Sequence, residues 1–220
     1  MRNPVKAKLK RGEVSFGAWV SIGHPDVSES LAKLGFDWLL FDTEHSPLNI
    51  EVIQGLLQSM SYTKDCVPLI RVAWNDVVLI KRALDIGAYG LVIPWVNTRE
   101  EALNAVKACR YPPEGVRGFG PRRAAWHDPA YVKTANEELL IIAQVETETA
   151  LTNLDEVLSV KGIDVALIGP WDLSMSLGVF TQWESPKFKA AVERVLEACE
   201  KWKVVPGYVC GDENVKEAAE

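Results

Sequence analysis

Two stretches decide the reading of this chain: Leu139-Leu-Ile-Ile-Ala-Gln-Val-Glu146-Thr147 and Val165-Ala-Leu-Ile-Gly-Pro-Trp-Asp172-Leu-Ser174. Each is an apolar run that stops abruptly at polar residues. Runs of this kind suit parallel strands buried on both faces, whereas strict alternation would mark a strand with one wet face. A helical pattern over 148–160 lies between them, so together they read as a βαβ unit with neighbouring strands. Adjacent strands lie about 4.8 Å apart. Glu146 and Asp172 should then emerge together at the carboxyl end of the sheet, where α/β proteins hold ligands. Two carboxylates so close repel unless a proton or a cation lies between them. A hard divalent ion such as Mg²⁺ or Mn²⁺ satisfies them.

Working outward, the alternation repeats. Strand-like runs occur near 15–22, 37–43, 67–73, 90–95, 139–146, 164–169 and 204–210. Helical patterns follow at 26–34, 49–61, 76–86, 98–109, 148–160, 187–202 and from about 213. Seven βα units predict a parallel α/β fold of the (β/α)₈ TIM-barrel type, as one domain over 1–220. A doubly wound sheet is the alternative, but no GxGxxG follows the first strand. The eighth βα unit has no counterpart in the sequence. The expectation is a barrel truncated at its C-terminus, or one whose gap another chain covers, because open edges expose unpaired backbone. The long connection 110–138, with Pro112, Pro113, Gly115, Gly118, Gly120 and Pro121, has the character of a lid or substrate loop.

Composition narrows the function. The 220 residues are 48% hydrophobic and 25% charged, with a net charge of −6. Nucleic acid would call for a basic face, and no apolar run reaches the ~18 residues of a membrane span. The basic N-terminus has no apolar core of a secretory signal. Cys66, Cys109, Cys199 and Cys210 are scattered and read as reduced thiols. The expected location is the cytoplasm.

The other strand ends add charge. Strand two ends in Asp42-Thr-Glu44-His45, which puts three ionisable groups within four residues. Strand three carries Arg71 inside an apolar run. A buried Arg needs an anion, and its fork suits a carboxylate. His45 is a candidate general base because histidine is the side-chain type suited to proton transfer near neutral pH. The turn from Gly169 to Met175 can present backbone N–H groups to an anion. Bland readings stand beside these. A lone strand-end carboxylate is ordinarily a helix cap or salt-bridge partner. His24 and His127 read as loop residues, Trp19, Trp38, Trp74 and Trp95 as core. Arg122-Arg123 reads as a solvated pair that could also meet an acidic substrate. No lysine sits at a strand's carboxyl end, which favours metal-assisted over Schiff-base chemistry.

Several motifs in order now carry a resemblance: Gly35-Phe-Asp-Trp-Leu-Leu-Phe-Asp42-Thr-Glu-His45, Pro68-Leu-Ile-Arg71-Val, Trp74-Asn-Asp76, Tyr111-Pro-Pro-Glu-Gly-Val-Arg-Gly118, Gln144-Val-Glu146-Thr and Ile168-Gly-Pro-Trp-Asp172-Leu-Ser. From about residue 5 to the end, the chain resembles the HpcH/HpaI family of class II pyruvate aldolases. The resemblance implies a metal-dependent carbon–carbon lyase that interconverts a 4-hydroxy-2-oxo acid with pyruvate and an aldehyde, through a metal-stabilised pyruvate enolate. It implies Mg²⁺, Mn²⁺ or Co²⁺ on Glu146 and Asp172, and no nucleotide cofactor. His45 becomes the acid–base residue, supported by Asp42 and Glu44. Arg71 holds the pyruvyl group. Gln144 and the amides of Trp171 and Asp172 help bind the keto acid. Asp85 reaches a neighbouring subunit's site, in a homo-oligomer expected to be a hexamer built as a trimer of dimers. The implied partners are small keto acids and aldehydes, not nucleic acid or membrane. Alternatives are a CoA-ester lyase or citrate-synthase-like relative with the same enolate chemistry, and an inactive barrel kept as a binding or assembly subunit. The 115–130 loop departs from the family pattern, which leaves the acceptor aldehyde open.

Overall fold

The apolar runs become strands because each is flanked by residues that stop a strand and start a helix. In this computed structural model, residues 2–63 and 65–211 are described. Two compact units are formed, one by Met1–Val92 with Ala105–Leu140, the other by Ile93–Asn104 with the chain from Ile141 onward. Strand order in the sheet is the chain order, the pattern of successive βα crossovers.

The first unit contains α1 (Pro4–Lys10), β1 (Gly17–Val20), α2 (Pro25–Leu31), β2 (Trp38–Asp42), α3 (Ile50–Ser59), β3 (Val67–Arg71), α4 (Val77–Asp85) and most of β4 (Gly90–Ile93). After α5 (Arg99–Cys109), which begins in the second unit, come α6 (Arg122–His127) and α7 (Tyr131–Glu138). The β2 and β3 strands run parallel, with Trp38 opposite Val67 and Asp42 opposite Arg71. Gly17 is required where β1 meets β2, since a Cβ there would fall 2.0 Å from the Trp38 ring. Asn49 and Asp76 cap α3 and α4 by accepting backbone N–H bonds in the first turn, which ends each strand-end loop promptly.

The second unit contains β5 (Leu140–Val145) apart from its first residue, then α8 (Glu148–Thr152), α9 (Leu154–Leu158), β6 (Val165–Ile168), α10 (Pro170–Ser176), α11 (Pro186–Trp202) and β7 (Val205–Tyr208). All six β5 residues are buried. Its parallel register sets Val145 opposite Ile168, and β6 pairs in turn with β7.

All seven expected strands are present. Four local expectations are corrected. The helix read over 148–160 is two helices, broken at Asn153, whose side-chain amide turns to donate to the Asn97 carbonyl at 2.9 Å. The turn after β6 is the helix α10, entered through Pro170 at its first position, where a proline's missing N–H costs nothing. The long connection 110–138 holds α6 and α7. Trp74 and Trp95 are not core: they are 51% and 44% exposed, because both lie just past a strand's end rather than within it. The helix expected from 213 lies outside the described residues. The short helix α1 carries no strong periodic signal. It forms because buried Asn3 caps it and donates to the carbonyls of Tyr89 and Glu138, at 2.8 and 3.0 Å. Lys6 Nζ donates to the Leu139 carbonyl at 2.7 Å. Cys66, Cys109, Cys199 and Cys210, all among the described residues, form no disulfide. Burial pushes Cys66 up to about 11 and Cys199 up to about 12, so neither is a nucleophile near neutrality.

Candidate active site

In the first unit, the β2–β3 register brings the charged residues together. Asp42 ends β2 and Arg71 ends β3, and as register partners they meet. Arg71 donates from Nε to Asp42 Oδ1 at 2.8 Å and from Nη2 to Oδ2 at 2.7 Å. Glu44 Oε2 lies 3.1 Å from Arg71 Nη1. The guanidinium also lies 4.5 Å from the Trp19 ring centroid, a stacking geometry that Arg favours. Arg71 and Asp42 are almost wholly buried. Burial alone would raise the Asp42 carboxyl. The hydrogen-bonded Arg71 guanidinium overrides it, and the pKa falls below the ordinary carboxylate value. One cation thus faces two carboxylates, while two of the five guanidinium N–H donors have no role in these contacts.

His45 follows on the loop after β2. Its backbone N–H reaches Asp42 Oδ1 at 3.4 Å, and its Nε2 lies 3.8 Å from Glu44 Oε1. The ring is largely open to solvent, whereas Glu44 is nearly covered. Thr43 pins the loop by donating its backbone N–H and hydroxyl to the Arg71 carbonyl, at 3.0 and 2.6 Å. The sequence-predicted group Asp42, Glu44, His45 and Arg71 is therefore one cluster, with Trp19 as a member that sequence reading had left in the core.

The second unit gathers Gln144, Glu146 and the start of α10. Gln144 and Glu146 are 2% and 4% exposed. Glu146 Oε1 accepts the Trp95 backbone N–H at 2.8 Å, and Oε2 accepts the Gln144 side-chain amide. Trp95 reaches it from a left-handed backbone, φ 56°. The Thr147 hydroxyl bonds the Asn97 side chain, tying the 95–98 loop to the end of β5. Gly169 follows β6 directly beside these groups: a Cβ on it would lie 3.3 Å from Gln144 Nε2 and 3.4 Å from Glu146 Cβ. Trp171 and Asp172 are the second and third residues of α10, where backbone N–H groups have no intrahelical acceptor. Asp172 is exposed.

This donor set suits a hard divalent cation. The oriented Glu146 carboxylate lies beside Gln144 Oε1, a buried oxygen with no hydrogen-bond partner among the described residues, and the exposed Asp172 carboxylate is carried by the first turn of α10. Among the described residues no three His, Cys, Asp or Glu side chains are placed to hold a metal ion by themselves. Two carboxylates with water and substrate oxygens is the habit of Mg²⁺, which keeps part of its hydration shell.

Asp85 belongs to a different cluster, within the first unit. Its Oδ1 accepts from Arg117 Nη2 at 2.7 Å. Arg117, fully buried, also donates to the Tyr131 hydroxyl at 2.9 Å and stacks on Tyr111 and Tyr131. Asp85 lines a surface cleft of about 330 Å³ with Ile50, Glu51, Gln54, Arg82 and Ile86. Sequence reading missed Arg117 because a buried cation within a Gly/Pro-rich loop leaves no periodic trace. Trp95 had a visible signal, Pro94-Trp95 at a strand's end, that was read as core.

Parallel strands with charged and polar residues gathered at their carboxyl ends define a class, the α/β enzymes that hold ligands there. Residues 15–219 match the family described as HpcH/HpaI aldolase/citrate lyase. The chain belongs to that family and is a carbon–carbon lyase. It is 38% identical to the 4-hydroxy-2-oxo-heptane-1,7-dioate aldolase of Escherichia coli, over 98% of this chain and 83% of that protein. An HpcH/HpaI aldolase/citrate lyase family protein from Burkholderia cenocepacia J2315 superposes with a TM-score of 0.91 at 32% identity, covering 98% of this chain and 87% of that one. The citrate synthase SbnG superposes at 0.85 and 28% identity, over 97% and 84% of the two chains. Among the described residues no helix is long and apolar enough to cross a membrane.

Proposed function

We propose that this protein reversibly cleaves 4-hydroxy-2-oxo acids into pyruvate and an aldehyde. The observation that carries the reading is 38% identity, over nearly the whole chain, to a protein named for such a cleavage. In cleavage the C3–C4 bond breaks, the C4 hydroxyl loses its proton as C4 becomes the aldehyde carbon, and C3 gains a proton as it becomes the pyruvate methyl. His45 is the group we assign to the C4 hydroxyl proton, because its accessible imidazole, next to Glu44, offers a ring nitrogen that can accept a proton and return it. Glu44 and Asp42 orient it and offset the positive charge it acquires. Arg71, held rigid by two carboxylates and Trp19, aims its remaining N–H donors at the oxyanion of the 2-oxo acid, a preorganised stabilisation. Gln144 and the first-turn amides of α10 position the carboxylate of the keto acid. Glu146 and Asp172 would hold a divalent ion, which when bound supplies Lewis-acid polarisation of the keto acid.

We further read the parallel strands as part of a (β/α)-barrel, supported by their chain-order arrangement and by the likeness to the solved family members. We read the working form as a homo-oligomer in the cytoplasm, Asp85 serving a neighbour's site. The test of the activity is pyruvate release from a panel of 4-hydroxy-2-oxo acids, after chelation and after return of Mg²⁺, Mn²⁺ or Co²⁺. Release should be lost on chelation and restored by at least one ion. No release from any acid with any ion would overturn the aldolase reading.

A further inference from the structure

Two tryptophans lie on the backbone that borders Glu146, one bonding it through its own N–H and one two residues beyond Gly169, and the chemistry described so far uses neither ring. Trp95 is 44% exposed and Trp171 46% exposed. Trp95 is fixed at the site by its own backbone N–H, 2.8 Å from Glu146 Oε1. Its φ of 56° is a backbone region that bulky residues rarely enter and that persists only where the surroundings enforce it. Trp171 is carried by the segment that follows β6. It follows Gly169 by two residues, and Gly169 donates its N–H to the Val145 carbonyl at 3.1 Å while lying against Glu146. The Trp171 ring is held edge-on to Trp183, with centroids 6.0 Å apart and planes at 80°, and Trp183 in turn stands 5.3 Å from Phe188. The indole is thus supported from behind while nearly half of it remains open.

The charges of the same loops point one way. Segments 94–98, 146–153 and 169–186 contain no Lys, Arg or His, yet they carry Glu146, Glu148, Asp172 and Glu184. The next cation along the chain, Lys187, is engaged by Glu148 at 3.2 Å and by the Leu177 carbonyl at 2.8 Å. An acceptor ending in a carboxylate would meet acidic side chains and indole faces here, with no spare cation from these loops. A desolvated carboxylate without a partner is costly. A flat, uncharged substituent meets two indoles, on which it can stack or pack edge-on.

We propose that Trp95 and Trp171 determine acceptor specificity, and that the aldehyde this enzyme uses bears a planar, uncharged, aromatic or conjugated group. The inference rests on the aldolase reading above. In the addition direction the pyruvate methyl carbon gives up a proton and bonds the aldehyde carbon, whose oxygen takes a proton to become the C4 hydroxyl. The two rings contact only the substituent beyond that carbon.

The test compares kcat/KM for addition of pyruvate to benzaldehyde, to succinic semialdehyde and to acetaldehyde, with the intact enzyme and Mg²⁺ or Mn²⁺. Benzaldehyde should exceed succinic semialdehyde at least tenfold. Trp171→Leu and Trp95→Asn, the latter chosen because Asn tolerates positive φ, should each lower the benzaldehyde-to-acetaldehyde ratio at least tenfold. Turnover in which succinic semialdehyde equals or beats benzaldehyde overturns the inference and leaves the aldolase reading standing. An unchanged ratio in both variants does the same. No turnover with any acceptor overturns the aldolase reading and this inference together. Should a variant fail to fold, the preference of the unaltered enzyme decides.

Discussion

Arg71 is structural through its contacts with Asp42 and Glu44 and chemical in the proposed reaction. Its guanidinium satisfies Asp42 in a fork and reaches Glu44, so removing it leaves two buried carboxylates without their cation. Loss of one partner of a buried pair costs about 3–5 kcal/mol of stability. Arg71→Ala should therefore lower the urea midpoint and also cut kcat/KM at least a hundredfold, roughly the worth of one oxyanion donor. Arg71→Lys should recover stability better than activity, because an ammonium cannot reproduce the fork. A lysine variant with normal kcat/KM would remove Arg71 from the chemistry.

Asp42 supplies a pH prediction. Its folded pKa lies below the unfolded value because Arg71 holds the carboxylate charged. The unfolded chain then binds more protons in acid, so this contribution is present above about pH 4 and is lost as pH falls through the folded pKa. Urea midpoints measured from pH 7 to pH 3 should fall for the natural chain. They should fall less for Asp42→Asn, which begins less stable. Parallel curves would show that the Asp42 pair does not govern acid stability.

At the scale of elements, α1 is short and owes its place to two side chains. Asn3 caps it and donates to two carbonyls, and Lys6 reaches a third. Asn3→Ala removes the cap and the two amide bonds to the Tyr89 and Glu138 carbonyls, at a cost of about 1–3 kcal/mol. Urea unfolding should register this while the ratio of activities with Mg²⁺ and Mn²⁺ stays unchanged. A loss below about 0.5 kcal/mol would mean that α1 is held by its apolar contacts alone. The strand pattern of this chain was legible because buried parallel strands are apolar throughout. Helices α1, α6, α7 and α10 were not, because they are short and depend on caps, prolines and contacts with distant carbonyls rather than on periodicity.

For the molecule as a whole, the segment around α6 leaves Val116, Phe119 and Trp126 exposed at 62%, 83% and 69%, with Arg122 stacked over Trp126. Apolar groups this exposed are the kind that a subunit contact would cover. We expect a homo-oligomer, a hexamer in the arrangement the family resemblance implies, and light scattering should find one that resists dilution. Phe119→Asp with Trp126→Asp should dissociate it and reduce activity. An active monomer that persists on dilution would contradict both the assembly and the role given to Asp85 in a neighbour's site.

What the sequence determined by itself was the order of seven strands, the parallel α/β class and the placement of Asp42, Glu44, His45, Arg71 and Glu146 at or just past strand ends. These follow from local patterning, because an apolar run and the polar residues that end it are adjacent in the chain. Tertiary structure alone decided the partners. The Asp42–Arg71 fork depends on strand register, the Trp95–Glu146 bond joins residues 51 positions apart, and the Arg117 sandwich needs Tyr111, Tyr131 and Asp85 to converge. Each is a contact between segments whose separation along the chain carries no periodic signal, so only the folded backbone brings them within hydrogen-bonding reach.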